Sequence, residues 1–435
     1  MIRFALDSLI KWSAGDIRKP LIIRGARQVG KTWLMKEFGR LYYKQIIYIS
    51  FDNNPEMKEL FSRDFDISRI IKGLEIAYET KINPENTLLI FDEIQEAPLA
   101  LTSLKYFAEN APEYQIVAAG SLLGVAMHSG TSFPVGKVDI MELHPLTYKE
   151  FLCAVGEDRL VECLNERDYE MITIFKDRYI DRLKEYYYIG GMPEVVNDFV
   201  QKADFSGVRE IQNRILEAYE LDFSKHAPYR EVPRIRMIWN CIASQLSKEN
   251  KKFVYNTIRE SARAKDYELA LLWLSDCGLI HKLSRVSKPY MPLKAYEDLK
   301  SFKIFLLDVG LLSALAQLDV TTLIKGNDIF TEFKGALTEQ YVLQQIKASQ
   351  KWPLFYWTND NGNAEIDFIL QMRANIIPIE AKASINLNSK SLKVYRENFK
   401  PEIALRTSMA NYKEQDGLIN LPLYAIEEID SVNVL

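Results

Sequence analysis

Residues 21–38 read LIIRGARQVGKTWLMKEF, a short apolar run, a glycine-bracketed turn and then a helical pattern. Few local sequences constrain a fold as tightly. GARQVGKT fits G-x-x-x-x-G-K-[ST], and it stands where that motif has to stand, after a strand pattern and before a helix. The glycines allow the backbone N–H groups of Gly25, Ala26, Arg27, Gln28, Val29 and Gly30 to turn inward around phosphate oxygens. The start of the helix adds a partial positive charge. Lys31 is then placed to reach the β- and γ-phosphates and Thr32 to offer a hydroxyl to Mg²⁺, with Trp33 beside them. The expected ligand of this phosphate-binding loop (P-loop) is ATP with Mg²⁺.

A second segment, LLIFDEIQEA, supplies the partner. An apolar strand ending in Asp92 and Glu93 predicts one carboxylate that holds the Mg²⁺ and a second that polarises the attacking water as a general base. QIVAAGS ends another strand pattern at Ser121. In ATPases with a strand inserted between the two motifs, a polar residue there senses the γ-phosphate. A serine capping a turn reads the same way. Arg24 and Arg27 flank the loop, but arginines near surface loops are common and carry little weight.

At 435 residues the chain exceeds one hydrophobic core and implies several domains. Its formal net charge of -4 does not mark the whole molecule as a polyanion binder, so a nucleic-acid surface has to be local. Cys153, Cys163, Cys241 and Cys277 show no metal-ligand spacing and read as reduced thiols of a cytoplasmic protein. His128, His144, His226 and His281 are scattered, which argues against zinc. No secretory signal is evident at the start. The most apolar stretch, IFLLDVGLLSALA, is too short to cross a bilayer, so no membrane partner is expected.

Along the chain, residues 1–145 alternate strand and helix patterns, which is the signature of an α/β domain with a parallel sheet. Residues 146–230 read as a helical lid, broken at Gly190, Gly191 and Pro193. Residues 231–322 read as three helices and a β-turn-β wing, a winged-helix module. Residues 323–435 read as a further α/β domain.

Several phrases together, LIIRGARQVGKT, LLIFDEIQEAP, LKYFAE, AAGSLLG, FPVGKVDIMELHPLTYKEFL and YIGGMPEV, resemble a family of prokaryotic AAA-superfamily ATPases. Those proteins pair an N-terminal ATPase domain with a C-terminal domain of uncharacterised function. The resemblance implies ATP binding and hydrolysis and names no biological substrate. No arginine finger of the kind ring ATPases donate between subunits is identifiable.

Residues 248–294 hold ten Lys or Arg and five Asp or Glu, a local excess of +5. The helix expected to enter a DNA groove, DYELALLWLSD, is acidic and apolar and lacks the side chains that read bases. An internal coupling module is the favoured reading, with Trp273 and Leu274 in its core. Lys251, Lys252, Arg259 and Arg263 are the candidates if this module contacts DNA.

The C-terminal region carries the second chemical signal. In AEIDFIL, Glu365 and Asp367 share one face of a strand while Ile366 and Phe368 take the other. In IIPIEAKAS, Glu380 and Lys382 share a face, and Glu339 lies on a helix upstream. A carboxylate on one strand followed by Glu-x-Lys on the next resembles the restriction-endonuclease-like (PD-(D/E)xK) nuclease core. That resemblance implies Asp367 and Glu380 as ligands of a second Mg²⁺ or Mn²⁺, Glu339 as a helix-borne ligand and Lys382 as the catalytic lysine. The proline before the aspartate is missing, because Ile366 stands there, and no strong basic stripe for gripping a duplex is evident.

The expected function is a Mg-dependent ATPase whose nucleotide state controls a nuclease-like domain acting on or binding DNA. The alternative is a nucleotide-dependent switch whose nuclease-like fold is inactive and binds DNA, a protein partner or a second copy of the chain.

Overall fold

The computed structural model describes residues 2–15, 18–121, 123–126, 133–248, 251–325, 331–349, 351–359, 361–385 and 389–432. The chain divides into two compact units, residues 2–144 with 276–278, and residues 145–275 with 279–435. No helix among the described residues is long and apolar enough to cross a membrane.

The first unit is built on five strands: β1 (Leu21–Arg24), β2 (Gln45–Ser50), β3 (Thr87–Asp92), β4 (Gln115–Gly120) and β5 (Asp139–Glu142). Their order is β2-β3-β4-β1-β5, and every pairing is parallel. All residues of β3 and β4 are buried, as strands covered on both faces require. Phe51, Phe61, Phe91 and Phe107 pack edge-on in a core with Ile70, Leu74 and Leu104. The strand order places β4 between β1, which feeds the glycine loop, and β3, which ends in Asp92. The ends of these three strands thus meet at one edge.

The second unit opens with a run of helices from Tyr148–Ala154 to Val232–Leu246. The double glycine of YIGGMPEV has a packing cause. Gly191 N donates to Asp308 Oδ2 at 2.6 Å, and a Cβ on Gly190 would collide with Asp308 Oδ1. Gly190 also takes a positive φ of 75°. Asp308 is buried, and Leu311 N at 2.9 Å and Gln344 Nε2 at 3.1 Å also donate to it. Burial pushes its carboxyl above the usual range, although the N–H donors oppose this.

Eight strands form the sheet of this unit: β6 (Ile280–Val286), β7 (Glu297–Leu306), β8 (Leu354–Thr358), β9 (Glu365–Met372), β10 (Asn375–Ala381), β11 (Ala404–Ser408), β12 (Lys413–Gln415) and β13 (Leu418–Pro422). The order is β12-β13-β11-β10-β9-β8-β6-β7. The wing expected from residues 231–322 therefore does not stand apart. β6 and β7 pair with each other, and Arg285 and Val286 of β6 pair in parallel with Tyr356 and Trp357 of β8. One sheet thus runs across the 322/323 division expected from sequence. Two α-helices, Val232–Leu246 and Ala264–Asp276, and a short 3-10 turn, Tyr255–Thr257, precede the hairpin where three helices were expected. Trp273 and Leu274 are buried in the second of these helices.

Around β8–β10 the strands run antiparallel, and β11 then adds in parallel to β10 after the helix Lys390–Phe399. The helix Thr331–Ser349 is enclosed on every side over residues 336–346, which are all buried. Its glutamines serve backbone groups. Gln340 exchanges two hydrogen bonds with Leu306, Gln344 Oε1 accepts from Val309 N at 2.9 Å, and Gln345 Oε1 accepts from Tyr148 N at 2.9 Å.

Candidate functional site

Two clusters of chemistry-bearing side chains stand out, one in each unit.

In the first, the turn between β1 and the helix Lys31–Tyr42 is held by backbone only a few residues can adopt. Gly25 has φ 151°, and a Cβ there would collide with Leu143 O. Gly30 has φ 94° and no side chain caps the helix it begins, so its first N–H groups face the loop. Lys31 is 7% exposed and donates to Gly25 O at 2.9 Å and Ala26 O at 2.8 Å. Burial pulls its ammonium down to about 8, against the attraction of Glu93 and Asp92.

Thr32 Oγ1 donates to Asp92 Oδ2 at 2.6 Å, and Tyr48 OH donates to the same oxygen at 2.9 Å. Glu93 follows in a left-handed conformation, φ 50°, which is uncommon for a residue with a Cβ. Its Oε2 accepts from Gln95 Nε2 at 2.6 Å and from Ser121 Oγ at 3.2 Å. Lys31, Thr32, Asp92, Glu93 and Ser121 thus converge from three strand ends. Trp33 is exposed, Val29 is buried, and Gly25, Ala26, Arg27 and Gln28 make up the loop. Arg24 sits 3.6 Å from Glu142. Sequence reasoning missed Tyr48 and Gln95. A tyrosine in the otherwise aliphatic β2 run IIYIS was the available signal for the first.

In the second unit an open cavity of about 510 Å³ is lined by Glu339, Glu365, Asp367, Glu380 and Lys382, with Lys252 and Arg285. The four residues expected from Glu339 to Lys382 do come together. They are not free of protein partners. Lys382 Nζ lies 2.5 Å from Glu380 Oε1, and Ser389 Oγ donates to Glu380 Oε2. Ala381 N donates to Asp367 Oδ2 at 2.9 Å. Lys251 hydrogen-bonds Glu339 Oε1, while the fully buried Lys303 reaches Glu339 Oε2 at 3.5 Å and hydrogen-bonds Glu365 Oε1.

The electrostatics follow. Burial acts to raise Glu339, but the two ammonium groups outweigh it and hold its carboxyl at about 2. Burial acts to lower Lys303, and Glu339, Glu365 and Asp367 together raise it well above the ordinary lysine range. Burial and the Glu339 charge push Asp367 well above its usual range. Among the described residues no group of three His, Cys, Asp or Glu side chains has the arrangement to hold a metal ion. The second metal expected from sequence therefore has no support. Sequence reasoning missed Lys303 altogether. A lone lysine inside the apolar run SFKIFLL was its signal.

The expected absence of a basic stripe also needs correction. Lys390, Lys393, Arg396 and Lys400 recur at helical spacing on Lys390–Phe399 and its end. Lys393, Arg396 and Lys400 line a second cavity, of about 640 Å³, with Glu397 and the buried Arg406. Arg406 is paired in register with Glu380 across β10 and β11, and Ser389 lines this cavity while bonding Glu380. The two cavities therefore adjoin. Of the four DNA candidates in the middle region, Lys251 and Lys252 belong to the carboxylate cavity and Arg259 and Arg263 are exposed.

Residues 17–152 match a family model described as an AAA domain. Residues 180–322 and 334–426 match two models described as domains of unknown function (DUF8612 and DUF4143). No curated protein matches the sequence. Among solved structures, a Walker-type ATPase of Pyrococcus abyssi is 15% identical with a TM-score of 0.44, over 72% of this chain and 94% of that one. The ORC1 protein of Aeropyrum pernix in complex with DNA is 11% identical with a TM-score of 0.27, over 73% and 93%. AMPPCP-bound DnaA from Aquifex aeolicus is 14% identical with a TM-score of 0.26, over 62% and 85%. At such scores the likeness carries no argument. The family match, the parallel sheet and the glycine loop identify the N-terminal unit as an AAA-type, P-loop ATPase domain.

Proposed function

We propose that the chain is a Mg-dependent ATP hydrolase whose nucleotide state controls a C-terminal nuclease-like module that engages DNA. The observation that carries the first half is the 2.6 Å hydrogen bond of Thr32 to Asp92, beside Lys31 and within one turn of Glu93. A hydroxyl and a carboxylate at one point form an all-oxygen donor set, which suits Mg²⁺. Bound there, the ion would neutralise charge on the β- and γ-phosphates. Lys31 exchanges its loop carbonyls for phosphate oxygens, and Gly25 to Gly30 present their N–H groups. Glu93, oriented by Gln95, polarises the attacking water, and Ser121 stands beside it to sense the γ-phosphate.

For the C-terminal module, support comes from its order of elements. A helix bearing Glu339 is followed by three antiparallel strands, two of which bear Asp367 and Glu380, with Lys382 just past the end of the last, then a helix, then a parallel strand, in keeping with a restriction-endonuclease-like core. The basic face of Lys390–Phe399 adjoins that cavity and suits a nucleic-acid backbone. Four free cysteines accord with a cytoplasmic protein.

The test is incubation of the full chain with duplex DNA, with Mg²⁺ or Mn²⁺, with and without ATP. Cleavage that disappears in Lys382→Ala supports a nuclease. Salt-dependent binding without cleavage supports a DNA-binding switch. In that case reversing Lys393, Arg396 and Lys400 to Glu should reduce the salt slope by about 0.9 for each phosphate no longer neutralised. Neither binding nor cleavage removes DNA and points to a protein partner or self-association. The lysines already paired with the carboxylates favour the second of these readings, a nuclease-like fold without nuclease chemistry.

A further inference from the structure

A nuclease-like core would use Glu339, Asp367 and Glu380 to hold a divalent cation, and the residues around them do not fit that task. Each of the three already receives a hydrogen bond from the protein: Lys251 on Glu339, Ala381 N on Asp367, Lys382 and Ser389 on Glu380. Lys303 is the decisive group. It rises from the middle of β7, outside the helix–strand core that carries the carboxylates, and is 0% exposed. Its ammonium lies between Glu339 and Glu365, with the Tyr356 ring 5.0 Å away. A divalent ion arriving here would have to displace a fully buried ammonium or lie beside two that already hold Glu339, against their like charge.

We propose that Lys303, with Lys251, takes the place of the metal, so that the carboxylate cluster is a metal-independent ionic latch tying residues 251–303 to the C-terminal helix and strands. What the adjoining cavity binds, it binds without a divalent cation. The proposal uses the nuclease-like reading only for what the carboxylates would otherwise hold.

The experiment is titration of Mn²⁺ into the full chain without nucleotide, following free Mn²⁺ by electron paramagnetic resonance, for the native protein, Lys303→Met, Lys251→Met and Glu380→Gln. The native chain should leave the signal of free Mn²⁺ undiminished at millimolar concentration. Lys303→Met, which exposes Glu339 and Glu365 to the ion, should take up Mn²⁺ at least about tenfold more tightly than the native chain. Should Lys303→Met fail to fold, Lys251→Met reads the same gain at a less deeply placed amine. Mn²⁺ uptake by the native chain that Glu380→Gln abolishes would overturn the proposal, and so would folded lysine variants that take up no more metal than the native protein. Failure of the nuclease-like reading would appear separately, as a chain that neither binds nor cuts DNA.

Discussion

Single side chains define both clusters, and the informative ones are charged or polar groups where strands are otherwise apolar. Asp92 ends a fully buried strand and is met by hydroxyls from Thr32 and Tyr48. Lys303 does for β7 what Asp92 does for β3, with the sign reversed. Removing it takes one of two ammonium groups from the buried Glu339, which keeps Lys251, and the partner of the half-buried Glu365, a defect that costs on the order of 3 kcal/mol. A half-buried acid offers a pH test. Glu427 accepts from Lys149 N at 2.9 Å, and burial pushes its carboxyl up to about 7, helped by Glu150 and opposed by Lys149 and Thr147. The folded chain therefore holds a proton that the unfolded chain releases near 4.5. The stability due to that proton is complete below the unfolded value and is lost as pH rises through about 7. Glu427→Gln, which mimics the protonated acid, should gain on the native chain by on the order of 1 kcal/mol between pH 5 and 8 in urea unfolding. Parallel stability profiles for the two proteins would contradict this.

At the level of elements, legibility followed how local the determinants were. The glycine loop and its helix were readable because every residue they need lies within a dozen positions. The ends of β3 and β4 were readable because each apolar run stops at a polar residue, Asp92 and Ser121. The hairpin β6–β7 was readable as a hairpin but not as part of the larger sheet, since its pairing to β8 joins residues about seventy apart. The helix Thr331–Ser349 was found from pattern, yet its polar residues gave no hint that it is enclosed. Gln340, Gln344 and Gln345 satisfy backbone groups of other elements. Gln344→Leu keeps the helix and the volume but leaves Val309 N–H without its acceptor and Asp308 with one donor fewer. A decrease in stability of roughly 2–4 kcal/mol is expected, read as a lower urea midpoint with unchanged slope. A variant as stable as the native protein would show that these hydrogen bonds contribute nothing net.

For the whole molecule, the N-terminal unit and the residues from 145 onward are distinct compact bodies, each with a cluster of its own. The five side chains that meet at the glycine loop, Lys31, Thr32, Asp92, Glu93 and Ser121, were all named from sequence, because the motifs that carry them have fixed spacing. The C-terminal cluster was legible only as carboxylates and one lysine. Its other cations, Lys251 and Lys303, come from a segment more than thirty residues before the first carboxylate, and only the folded chain brings them there. The central claim is that Glu93, held by Gln95 and Ser121, drives the hydrolysis of ATP bound at Lys31 and Thr32. The most direct measurement is steady-state phosphate release from Mg-ATP by the native chain and by Glu93→Gln, with ATP binding by both followed calorimetrically. Glu93→Gln should bind ATP as the native chain does and release phosphate about a hundredfold more slowly or less. Equal turnover by the two proteins, or no ATP binding by the folded native chain, would contradict the claim.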